Sequence, residues 1–118
     1  MSARNPLLAA PPHPVEECLK SLGRNLRVAR VRRRLTMDEV AEKLGIGRRV
    51  LADAERGKPS TGIAVYLGLL WTYGLLEQLT GVADPALDVD GQTLALASEP
   101  TQARRKRSLD GRSPVRPQ

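Results

Sequence analysis

Residues 35–57, LTMDEVAEKLGIGRRVLADAERG, leave a chain little choice of fold. Thr36 is a good N-cap and Glu39 follows at the spacing of a capping box. Val40, Ala41 and Leu44 repeat on one helical face, and Gly45 is placed to end that helix. Gly45-Ile46-Gly47 makes a tight turn, after which Arg48 opens a second short helix that carries Val50, Leu51 and Ala54 inward and closes at Gly57. Two short helices joined by a Gly-containing turn are the sequence form of a helix-turn-helix, whose second helix enters the DNA major groove. This one begins with Arg48-Arg49, side chains suited to reading guanine O6 and N7 or to clamping phosphate.

Charge follows the same map. The 118 residues carry a formal net charge of +6, enough chain for one small domain with tails. Residues 19–57 are net +6, residues 58–100 net −4 and residues 101–118 net +5, so positive charge sits on the helix-turn-helix and on the C-terminal segment. A basic stripe of this kind is the electrostatic footprint of nucleic-acid binding. Enzyme chemistry has no foothold: there is one histidine, His13, in a Pro-Pro-His-Pro linker, and neither a metal-ligand spacing, a Ser/His/Asp set nor a Gly-rich phosphate loop. Glu16-Glu17 and Asp38-Glu39 read as helix-start charges that favour the dipole. No cofactor or metal is expected. The lone Cys18 fits a reducing cytoplasm and is expected to be buried or half-buried in the first helix. There is no 18-residue apolar run and no signal-peptide pattern, so no membrane span is expected.

Taken in order, residues 1–14 hold four prolines and predict a disordered arm, with Arg4 as a minor-groove contact of slight support. A first helix over 15–34 is predicted from the stripe Leu19, Leu22, Leu26 and Ala29. Arg30 continues that stripe as a charge, which a core-facing position tolerates only when paired; Glu55 is the candidate partner. The second and third helices are 37–44 and 48–56. Thr61 then caps a fourth, 62–73, with Ile63, Tyr66, Leu67, Leu70 and Tyr73 inward. A second apolar row, Val65, Leu69 and Leu76, with Trp71 beside it, predicts a partner surface, read as a two-fold dimer interface. Leu75, Leu76 and Leu79 give a short fifth helix ending at Gly81, and Asp90-Gly91 between short apolar runs resembles a hairpin turn. The expectation is an all-α, five-helix domain over 15–82, preceded by the arm and followed by an extended or disordered basic tail, 83–118, whose run at 104–107 is Arg-Arg-Lys-Arg.

From Leu22-Gly23 to Gly81 the chain resembles the Xre family of phage-repressor and Cro-type helix-turn-helix domains, on Arg30, Thr36, Ala41, Gly45-Ile46, Leu51 and Glu55-Arg56-Gly57. Its continuation, GKPSTGIAVYLGLLWTYGLLEQL and ADPALDVDGQTLALASEPTQARRKR, is similar to HipB-like antitoxins, small repressors encoded beside a HipA-like Ser/Thr kinase toxin. The resemblance implies that Arg30 and Glu55 form a buried ion pair, that Arg48, Arg49 and Asp53 face bases, and that Thr36 and Gly47 start helices whose N–H groups grip phosphate. Two positions depart from the family pattern: Met37 stands where a phosphate-holding glutamine is common, and Gly47 where Ser or Thr is. The implied function is a dimeric repressor on a palindromic operator in the bacterial cytoplasm, at the nucleoid, and an antitoxin that binds the kinase. A stand-alone regulator without a toxin, and a protein-interaction adaptor whose degenerate helix-turn-helix no longer reads DNA, are the alternatives.

Overall fold

A computed structural model describes residues 5–98, and every regular element among them is helical. Expectations placed on Arg4 and on the basic run at 104–107 lie outside the described residues. The arm is not wholly irregular: Pro6–Ala9 forms a single turn, α1, capped by the Asn5 side chain, which accepts the Leu7 N–H at 3.0 Å. The long helix α2, His13–Arg32, starts two residues earlier than the apolar stripe suggests. Pro14 lies in its first turn, where a missing N–H costs nothing, so His13 opens the helix and is no linker residue. Cys18, expected to be covered, is exposed on this helix.

The other end of α2 is closed by Arg34 in the left-handed region, φ 57°. There the Arg34 N–H reaches the Val31 carbonyl at 2.9 Å and the Leu35 N–H reaches Arg30 at 3.2 Å. This pair of bonds satisfies carbonyls the helix would otherwise leave open, against the steric cost of a non-glycine residue at positive φ. Then α3, Met37–Leu44, begins with the full capping box: Thr36 Oγ1 accepts the Glu39 N–H at 3.1 Å, and Glu39 Oε1 accepts the Thr36 N–H at 2.8 Å. Gly45, at φ 69°, turns the chain into α4, Arg48–Glu55. After Gly57, α5 runs Ile63–Thr72 from Gly62 as N-cap, not from Thr61, and a 3-10 helix, Leu76–Gly81, follows.

The core gathers Leu26 and Ala29 from α2, Val40 and Ala41 from α3, Leu51 and Ala54 from α4, and Tyr66, Leu69 and Leu70 from α5, with Tyr73 just beyond. Each fully buried leucine contributes about 1.5–3 kcal/mol by leaving water. Leu69 is a correction to the partner-row reading, because it is fully enclosed by this chain's own core. Ile63 is the converse, expected inward but exposed, and Val50 stands at the surface as well. Tyr73 is buried, and its hydroxyl has no hydrogen-bond partner among the described residues. Burial first, and the charge of Glu55 second, push its phenol up to about 12, against the opposing pull of Arg30 and Arg33.

The structure divides into two compact units between Gln78 and Leu79. In the second, residues 89–98 form a helix, α6, where a hairpin was expected. The reason is local. Asp88 Oδ1 accepts the Gly91 N–H at 2.9 Å, fixing a helix start, and the Gln92 side chain ties back to the carbonyls of Pro85 and Ala86 at 3.0 Å. This part of the 83–118 segment is therefore not extended.

Raising pH tests the Tyr73 environment. In the unfolded chain its phenol ionises near its ordinary value of 10 and in the fold near 12, so stability is full below pH 10 and drains away between those values. Phenolate absorbance should lose its latest step in Tyr73→Phe, while the Tyr66 phenol, which burial also pushes up, remains.

Candidate nucleic-acid interface

What places α4 is a close crossing with α2. A Cβ added to Gly23 would lie 2.6 Å from the Glu55 carbonyl and 2.7 Å from that of Ala54, and one on Gly57 would lie 2.5 Å from the Leu19 carbonyl. These neighbours are backbone and have little room to yield. Gly57 also sits at φ 71°, which ends α4 as its N–H reaches Ala54 at 3.0 Å. Across the same crossing Arg30 meets Glu55 as a fork: Nε to Oε2 at 2.7 Å and Nη2 to Oε1 at 3.1 Å. Arg30 Nη1 goes to the Leu35 carbonyl at 3.0 Å, so one side chain joins α2, the loop before α3 and the end of α4. The two side chains are 11% and 7% exposed. The hydrogen bonds that Arg30 donates to Glu55 raise the Arg30 pKa against the cost of burial, keeping the guanidinium charged.

With its far end fixed, α4 presents its first turn outward. Arg48 and Arg49 are exposed there, and Gly47 supplies no side-chain cap, which leaves the leading N–H groups open to an anion. Arg48 Nη1 lies 3.6 Å from Asp38 on α3, an exposed pair that sequence reasoning missed because the two residues are neighbours only across the turn. At the start of α3 the capping box consumes the N–H groups of Thr36 and Glu39. Those of Met37 and Asp38 are not taken up by the box, and the Met37 side chain is half-buried.

Asp53 does not face outward as expected. Its side chain is 15% exposed and is held between Arg56 and Lys58, the latter at 3.7 Å. The Lys58 N–H also donates to the Asp53 carbonyl at 3.0 Å, and the Tyr66 hydroxyl donates to the Lys58 carbonyl at 3.3 Å. Asp53 thus organises two cations after α4 and does not offer its carboxylate outward beside Arg48 and Arg49. Arg56 lies three residues beyond Asp53, a helical spacing legible in the sequence.

Of the expected partner row, Val65 is half-buried, Leu69 is core and Leu76 is exposed. Trp71 is 58% exposed, with the Lys43 ammonium 5.4 Å from its ring centroid. Among the described residues no His, Cys, Asp and Glu side chains gather as they would around a metal, and no helix is long and apolar enough to cross a membrane.

Residues 26–68 match the helix-turn-helix family model HTH_3. The match runs from the middle of α2 through the turn and α4 into α5, the segment that the crossing and the ion pair hold together. No curated protein and no solved structure matches the chain. Over these residues the chain is similar to helix-turn-helix domains of the Xre/Cro type, a family of DNA-binding transcriptional regulators and not of enzymes.

Two measurements test the crossing. Gly23→Ala should lower stability by about 1–3 kcal/mol despite alanine's better helix propensity, because overpacking outweighs it. Arg30→Met should cost about 3–5 kcal/mol in chemical denaturation by stranding Glu55. Arg30→Met/Glu55→Leu should recover most of that loss, which a pair of independent contacts would not do.

Proposed function

We propose that this chain is a sequence-specific transcriptional repressor that binds a palindromic operator as a dimer, its α4 helices entering successive major grooves. The observation that carries the reading is the exposed Arg48-Arg49 turn at the head of a helix fixed at its other end. Two guanidiniums on a rigid helix start are suited to bidentate contact with guanine. The open N–H groups of α3 and α4 favour phosphates on either side. Arg56 and Lys58 add positive charge beyond α4, with Asp53 holding their positions. Such a protein acts at the bacterial nucleoid, in the cytoplasm.

The finer part of the proposal is that it is the antitoxin of a HipA-like Ser/Thr kinase toxin and represses the operon encoding both. Support comes from the resemblance of residues 57–79 and 83–107 to HipB-like antitoxins and from the exposed apolar side chains Ile63, Trp71 and Leu76, available to a protein partner. Co-purification with the product of an adjacent kinase reading frame, at native levels, is the expected result. Recovery of the chain alone would leave the stand-alone regulator.

DNA reading is tested by titrating the protein against its upstream duplex and a scrambled duplex over a salt series. The upstream duplex should win by about 10³-fold or more. Arg48→Ala/Arg49→Ala should abolish that preference while leaving weak, salt-sensitive binding to both duplexes. Equal binding of the unaltered protein to both would point instead to the adaptor reading.

A further inference from the structure

Arg48 and Arg49 are neighbours at the head of α4, both exposed, yet they stand in different electrostatic company. Arg48 Nη1 lies 3.6 Å from Asp38 Oδ1, with the two side chains 65% and 77% exposed. Among the described residues no carboxylate comes within ion-pair distance of Arg49. The Asp38 side chain takes no part in the cap of α3, where Thr36 and Glu39 make both bonds of the box. Arg48 is the partner shown for its carboxylate among the described residues.

A guanidinium has more than one donor edge to spend. Arg30 shows the division in this chain: its Nε–Nη2 edge forks Glu55 while Nη1 reaches the Leu35 carbonyl. On Arg48 the carboxylate lies on the Nη1 side, which leaves the Nε–Nη2 edge for a planar partner with two acceptors. Phosphate and guanine respond differently to that arrangement. A phosphate is drawn by net charge, and a carboxylate well inside a Debye length of the guanidinium cancels much of that pull. Guanine O6 and N7 are neutral acceptors held by paired hydrogen bonds, which the open edge still offers. We propose that Asp38 is a specificity-determining residue: it offsets the charge of Arg48, leaves its Nε–Nη2 edge open, and so makes it a reader of guanine and a poor clamp for phosphate. Asp38 acts through Arg48 and is a positioning residue. Arg49, uncompensated, keeps the full pull toward phosphate. The inference rests on the DNA-binding reading above and names which of its two arginines discriminates.

Titration of the full chain against the upstream and scrambled duplexes over a salt series tests it, with Asp38→Asn, Asp38→Glu and Arg48→Ala/Asp38→Asn as variants. Asp38→Asn frees one cation for phosphate, so the logarithmic salt slope on the scrambled duplex should steepen by about 0.9. The ratio of upstream to scrambled affinity should fall about fivefold, the scale of an exposed ion pair. Asp38→Glu keeps the charge and should keep the ratio. The double variant removes a pair without net charge, so it should hold the unaltered slope and lose most of the preference. An Asp38→Asn protein that differs from the unaltered one only in melting temperature reduces Asp38 to a helix-start charge and overturns the proposal. Equal tightening on both duplexes overturns it as well. Either result leaves the repressor reading standing, because the unaltered protein still prefers its upstream duplex. Absence of that preference in the unaltered protein overturns the repressor reading itself, and the role of Asp38 with it.

Discussion

The fork between Arg30 and Glu55 joins the last turn of one helix to the last residue of another, and the placement of α4 depends on that joint. At eight residues neither α3 nor α4 is long enough to persist alone in water. α3 exists because its apolar side is held against α4 and α5, and α4 because its own is held against α2, α3 and α5. The bare backbones of Gly23 and Gly57 let α2 and α4 come close enough for the fork to close. A guanidinium suits the site better than an ammonium would, since its fork fills two carboxylate oxygens and still reaches the Leu35 carbonyl. The ion pair adds direction to a hydrophobic contact that by itself would leave α4 free to slide.

Carboxylates are placed with equal economy around the outward-facing cations. Asp53 steadies Arg56 and Lys58 from a largely covered position, and Asp38 holds Arg48 loosely from an exposed one. An exposed pair of that kind is worth at most about 1 kcal/mol. Arg48 is therefore only lightly restrained, and leaving Asp38 for another acceptor would cost little. The two aspartates act on different parts of the head: one shapes the chain reversal after α4, the other restrains a side chain at its start.

Features written in short-range chemistry were legible in the sequence. The Thr36–Glu39 capping box and the Gly45 turn need only residues within a few positions of one another, and Arg30 betrayed its partner by breaking an apolar stripe. The helix-turn-helix and its leading arginines followed. Where the pattern failed, a competing interaction decided. A helix apolar all round, such as α5, carries no period to say that Leu69 is inside and Ile63 outside; only the packing of α3 and α4 decides that. Asp90-Gly91 has the composition of a hairpin turn, but Asp88 accepts the Gly91 N–H and starts a helix. Asp53 lies at a spacing that suits base contact and intrahelical pairing equally, and the nearby cations of its own chain claimed it.

The crossing also fixes an order of events during synthesis. Arg30 and Glu55 are 25 residues apart, and among the described residues the buried hydrophobic side chains run from Leu26 to Tyr73. Helical architectures with such short loops to close fold in microseconds to milliseconds, whereas a ribosome adds roughly 5–20 residues per second. The contacts that set α4 in place thus lie wholly N-terminal to the arginines at 104–107 and leave the ribosome ahead of them. A nascent chain has its helix-turn-helix assembled before its own most basic segment emerges.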